Sequence, residues 1–156
     1  MYYERRFIIF ASILLYHMAR PQKCRRICNP PKMEGFMPYG MQKSHLEPVI
    51  LKFEEFESIR LVDYDLHSQD IAAKQMNISR PTFTRIYNRA LKTIAKAFVE
   101  GKSIEIEGGN FQFEHDWYKC KKCFKLIEGI ENHSRCKNCT VFSVNELVSM
   151  NQSIKE

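Results

Sequence analysis

Apolar residues recur at three- and four-residue spacings on both sides of one asparagine in Ser68-Gln69-Asp70-Ile71-Ala72-Ala73-Lys74-Gln75-Met76-Asn77-Ile78-Ser79-Arg80-Pro81-Thr82-Phe83-Thr84-Arg85-Ile86. This pattern predicts two closely linked helices that share an apolar seam. Ser68 is an N-cap candidate for the first helix, with Gln69 and Asp70 in its first turn, and Ser79 caps the second. Pro81 falls in the first turn of that second helix, where a missing N–H costs nothing. Asn77 tolerates the positive φ that a tight helix–helix turn needs. Ala73 is small where the helices cross, and Ala72, Met76, Ile78, Phe83 and Ile86 make the shared core. The predicted unit is a helix-turn-helix whose second helix runs on to a stop at Gly101.

Charge follows the elements. The net charge is +6, and residues 80–99 carry Arg80, Arg85, Arg89, Lys92 and Lys96 with no acid. Residues 20–26 carry Arg20, Lys23, Arg25 and Arg26, again with no acid. Residues 52–70 are the reverse, with Glu54, Glu55, Glu57, Asp63, Asp65 and Asp70 against Lys52 and Arg60. The helical spacing of Phe53, Phe56, Ile59, Leu61 and Val62 predicts an amphipathic first helix with an acidic outer face. A polyanion would meet one face and be repelled by another. In a DNA-bound helix-turn-helix the start of the second helix reaches base edges while the first crosses the backbone. The candidate DNA contacts are therefore Arg80, Thr82, Thr84, Arg85, Asn88 and Arg89, with Arg80 or Arg85 suited to a guanine edge. Arg89, Lys92 and Lys96, further along, suit phosphates, as do Arg20, Lys23, Arg25 and Arg26 of the arm.

Around this unit the chain divides by composition. Residues 1–17 read as an upstream extension, with translation starting at Met18. The apolar run Phe7–Tyr16 is too short to span a bilayer, which needs about 20 residues, and a signal peptide is the lesser alternative. Residues 18–48 form a basic arm and loop punctuated by Pro21, Pro30, Pro31 and Pro38. Residues 49–109 hold the helix-turn-helix. At its end Ser103–Glu107 and Phe111–Phe113 alternate polar and apolar around Gly108-Gly109, which predicts a hairpin. Residues 110–145 form a ribbon, and 146–156 a short helix or frayed tail.

Cys120-x-x-Cys123 and Cys136-x-x-Cys139 are separated by twelve residues. Each turn directs two thiolates to one centre, and four sulfurs suit structural, tetrahedral Zn²⁺, with iron the lesser alternative. A segment this short has no core of its own, so metal binding and local folding are coupled. Cys24 and Cys28 are a third pair, either a redox or metal-sensing device or two reduced thiols.

Met18-Ala19-Arg20-Pro21 with Cys24-Arg25-Arg26, Leu46-Glu47, Glu55-x-Glu57-x-x-Arg60-Leu61, Ala72-Ala73, Ser79-Arg80-x-Thr82-Phe83, Gly101-Lys102 and Ile106-Glu107-Gly108-Gly109 resemble the small prokaryotic proteins of domain-of-unknown-function family 134. The resemblance covers residues 18–109; Asn77 stands where glycine is usual and Pro81 where a polar residue is usual. That family is similar to the DNA-binding region four of sigma factors, which implies DNA binding. The ribbon lies outside the matched stretch.

The expected fold is mainly α: a three-helix, sigma region four-like helix-turn-helix core plus a small β zinc ribbon. The expected function is sequence-specific binding of double-stranded DNA by a cytoplasmic transcriptional regulator. The alternative is an interaction module that contacts RNA polymerase or another regulator and binds DNA weakly. The sequence leaves the oligomeric state open, with a homodimer among the alternatives, and no membrane partner is expected. No G-x-S-x-G, H-E-x-x-H or phosphate-cradling glycine loop points to an enzyme.

Overall fold

In chain order the strands and helices are β1 (Arg25–Ile27), β2 (Gly35–Phe36), β3 (Val49–Leu51), α1 (Phe53–Ile59), α2 (Gln69–Gln75), α3 (Arg80–Glu100), β4 (Ile104–Ile106), β5 (Phe111–Phe113), β6 (Trp117–Cys120), β7 (Leu126–Glu128) and β8 (Leu147–Ser149). They come from a computed structural model that describes residues 23–40, 47–132 and 147–151. Among the described residues three α-helices accompany eight strands in three sheets, so the fold mixes α and β and is not mainly α. The helix-turn-helix was legible, but the strands around it pair across long stretches of chain, which local pattern does not reveal.

The central sheet has the order β2-β4-β3. Val49, Leu51, Ile104 and Ile106 point inward from its parallel β3–β4 pair and pack against Ala90 and Ala97 of α3. The expected hairpin between Ser103–Glu107 and Phe111–Phe113 does not form. Both edges of β4 are taken, by β3 and by antiparallel β2. Glu107 N–H donates to Leu51 O, and Phe53 N–H donates to Gly108 O. β5 instead lies parallel to β1, so the supposed arm enters the interior: Ile27 is 1% exposed and packs with Phe111 and Phe113. Phe53 joins this cluster to the central one, its ring centroid 4.5 Å from that of Phe111. The third sheet, β7-β6-β8, draws Leu147–Ser149 out of the expected tail; Leu147 packs beside Cys120 and Ile127.

α1 also departs from expectation. Its acids do not face outward: Glu54, Glu55 and Glu57 are all nearly fully buried. Glu55 reaches back to accept the backbone N–H of Lys52 at the head of the helix. Glu57 accepts Cys28 N–H at 3.3 Å and the Arg60 Nε and Nη2 at 2.8 and 2.7 Å. Buried carboxylates are tolerable when cations and N–H groups meet them in this way. The Glu54 carboxylate fills the space above Gly109 (φ 109°), where a Cβ would collide with it. α1 then widens into a π-helical turn, Arg60–Tyr64, closed by Asp65 N–H to Arg60 O.

Candidate functional site

Ser68 adopts an extended N-cap conformation, and its Oγ accepts from Ile71 N–H. Asn77 reverses the chain at φ 55°. Ile78 N–H donates to Ala73 O, which brings α3 back across α2. Leu61, Ala72, Ala73, Met76 and Phe83 are almost completely buried in the shared seam, where each large side chain contributes roughly 1.5–3 kcal/mol. Ser79 sits at the head of α3 in N-cap conformation, but its hydroxyl pairs with Thr82 Oγ1 at 2.9 Å, not with a backbone N–H. Pro81 lies in the first turn of α3, and Gly101 ends the helix in the left-handed conformation at φ 64°.

With Phe83, Ile86, Ala90 and Ala97 turned inward, Arg85, Asn88, Lys92 and Lys96 are left exposed on α3. Arg85, Asn88 and Lys92, at spacings of three and four, share one side. No acid precedes Glu100 in the helix. Arg85 and Lys92 have no carboxylate partner among the described residues. Arg80 is exposed and makes a 3.5 Å ion pair with Asp70, a surface contact that exchanges readily. Thr82 and Thr84 are partly buried; Thr84 Oγ1 lies 2.7 Å from Gln69 Oε1 and 3.1 Å from Arg80 O, so it braces α3 against α2. Arg89 is tied to the buried Glu55 carboxylate, with which its Nε forms an ion pair. It fastens α3 to α1 while part of its guanidinium stays in solvent.

The basic segment before α1 is bound to the turn of the motif. Arg26 N–H donates to Met76 O at 3.1 Å, its Nε to Gln75 O at 3.1 Å, and Lys23 Nζ to Asn77 Oδ1 at 2.9 Å. The carbonyls closing α2 thereby gain partners. Arg26 also pairs with Glu114, and Arg25 reaches Asn110 O at 3.5 Å with its Nε buried and unpartnered. Of these cations Lys23 and Arg26 are exposed at the turn, whereas Arg25 is partly enclosed. Arg20 and the residue 1–17 extension lie outside the described residues. Sequence reasoning missed this anchoring and the inward Glu54, Glu55 and Glu57. The i, i+3, i+4, i+7 register of Glu54, Glu57, Ser58 and Leu61 was a usable signal for the carboxylates.

β1 separates Cys24 from Cys28. Four residues of extended chain put their Cα atoms about 13 Å apart, well beyond the roughly 7 Å limit for a disulfide. Burial first, then the Glu57 and Glu114 carboxylates, push the Cys28 thiol above its ordinary range.

Cys120 ends β6 fully buried, and Cys123 packs against it in the turn that follows. Cys120 N–H donates to Lys125 O and Phe124 N–H to Cys120 O, closing the turn with Phe124 at φ 58°. A buried Cys120 with a partly buried Cys123 beside it suits half of a four-thiolate site. Cys136 and Cys139 lie outside the described residues, among which no group of three metal-ligating side chains occurs. No helix of the described residues is long and apolar enough to cross a membrane.

Residues 15–114 match the family described as "Protein of unknown function DUF134". The chain is 38% identical over 124 residues to a UPF0251 protein of Clostridium novyi (strain NT), covering 78% of this chain and 84% of that one. It is 36% identical over 132 residues to a UPF0251 protein of Chloroherpeton thalassium, covering 83% and 87%. Against a UPF0251 protein of Thermoanaerobacter pseudethanolicus it is 46% identical over 95 residues, covering 61% and 80%. No solved structure matches the chain. The match across most of the folded region and the relatives' shared length place this chain in the DUF134 (UPF0251) family.

Proposed function

We propose that this protein is a transcriptional regulator that binds double-stranded DNA with the N-terminal half of α3 in the major groove. The observation that carries this reading is the outward, acid-free face of Arg85, Asn88 and Lys92 on a helix whose opposite face is locked into a helix-turn-helix seam. Arg85 is the base-reading candidate, because its fork can pair with guanine O6 and N7. Arg80 joins it by exchanging Asp70 for DNA, and Lys92 and Lys96 meet phosphates. Lys23 and Arg26, fastened to the turn, add charge beside the start of α3. Arg89, Thr82 and Thr84 have positioning roles in this reading, since their polar atoms already hold the motif together. Cys120 and Cys123, with Cys136 and Cys139, would hold a structural Zn²⁺ that fixes the ribbon and performs no reaction.

Duplex-binding titrations at several salt concentrations test the reading. Arg85→Ala should weaken the preferred sequence by about 1–3 kcal/mol. Lys92→Ala should weaken all sequences alike and flatten the salt dependence. Binding indifferent to salt would favour the interaction module over DNA recognition, and identical behaviour of the two variants would overturn the division between base reader and phosphate anchor.

A further inference from the structure

We propose that the groove between the Cys120–Cys123 turn and the Asn29–Lys32 loop is a second nucleic-acid contact, one that takes an unpaired nucleotide of a single strand. The groove encloses about 530 Å³, and its walls include Asn29, Lys32, Trp117, Phe124 and Lys125. Phe124 is 63% exposed and stands at φ 58°, a backbone conformation unfavourable for a bulky L-residue. Glycine would close this turn without strain, yet the chain holds a phenyl ring out to solvent there. Lys119, its own charge paired with Glu34, lies 5.5 Å from the ring centroid and steadies the ring. Lys32 and Lys125 are exposed and have no carboxylate partner among the described residues. Trp117 is partly buried in the groove wall, with its indole nitrogen turned away from solvent.

This combination fits a nucleotide whose base is free. The base stacks on Phe124, and a phosphate meets the Lys125 and Lys32 ammonium groups. A duplex hides its base faces within the stack, so the groove selects a single strand. An acidic peptide would use the cations but leave the open ring without a role. The site does not depend on DNA binding by α3, and the experiment keeps the two apart.

Trp117 is the only tryptophan in the chain, so its emission reports directly on the groove. Oligo-deoxythymidine added to the full chain should quench that emission. Phe124→Ala should weaken single-strand binding roughly 5- to 100-fold, Phe124→Tyr should restore it, and duplex affinity should hold in both. Arg85→Ala should do the reverse, sparing the single strand. Should Phe124→Ala fail to fold, the exposed Lys125→Glu carries the test, with weaker single-strand binding and a shallower salt dependence expected. Unmoved Trp117 emission, or wild-type single-strand affinity in folded Phe124→Ala or in Lys125→Glu, overturns the proposal. So does an equal loss of strand and duplex binding in Phe124→Ala, which would mean one shared surface.

Discussion

Replacing Glu57 with alanine should cost this protein about 2–4 kcal/mol of stability. The side chain is 1% exposed and accepts from Cys28 N–H, Arg60 Nε and Arg60 Nη2. Deleting one partner of a buried ion pair typically costs roughly 3–5 kcal/mol, because the other is left uncompensated. Here Arg60 is 24% exposed and keeps Asp65, so water and that second carboxylate recover part of the loss. The orphaned Cys28 N–H adds to the loss, at roughly 1–3 kcal/mol if water cannot reach it. For a domain stable by about 5–15 kcal/mol, the net is a large fraction. Urea denaturation of Glu57→Ala, Arg60→Met and the double variant measures it. The double variant should lose less than the sum of the singles, by about 1 kcal/mol or more, since neither member of the Glu57–Arg60 pair is then left without the other. A Glu57→Ala variant within about 0.5 kcal/mol of wild type would behave like a surface substitution and refute the inward placement of the α1 acids.

Gly109→Ala should destabilise by about 2–4 kcal/mol, because the new methyl meets the Glu54 carboxylate at φ 109°. Gly108→Ala, with open space around it, should cost only about 1–2 kcal/mol; equal melting temperatures for the two would contradict the close approach. Cys28 has a folded pKa above its unfolded one, chiefly through burial. Its thiol proton therefore contributes stability below the unfolded value, and that contribution is lost as pH rises through the folded value. Native alkylation of Cys28, followed by mass spectrometry, should lag that of the denatured chain at mildly alkaline pH; matched rates would count against the burial. Chelation should expose the Cys120–Lys125 turn to proteolysis while the helical circular dichroism persists, since the cores around the helices contain no cysteine. Loss of the helical signal would show that the two regions are one cooperative unit.

The helix-turn-helix was legible because its determinants are local. The Ser68 cap, the Asn77 turn, the Phe83 seam and the Gly101 stop each act within a few residues of themselves. The outward face of Arg85 and Lys92 followed from helical periodicity alone. The strands were misplaced because their partners are remote: nothing near Ser103–Glu107 says that β3 and β2 occupy its edges before Phe111–Phe113 can fold back. Nor does composition tell a solvated acid from a structural one. Glu55 and Glu57 looked like a polar surface, and only the positions of Arg89, Arg60 and Cys28 make burial affordable. The exposed Phe124 escaped notice because sequence position alone does not tell whether an aromatic beside a cysteine pair faces solvent.

The pairing of β1 with β5 also bears on how the molecule is made. Arg25 meets Phe111 and Ile27 meets Phe113, so an early-synthesised strand waits for one that leaves the ribosome much later. The stretch from Leu61 to Tyr87 contains its own apolar cluster and can condense first. Until Ile106 and then Phe113 emerge, β3 and β1 lack their partners, which makes a stalled nascent chain prone to association with its neighbours.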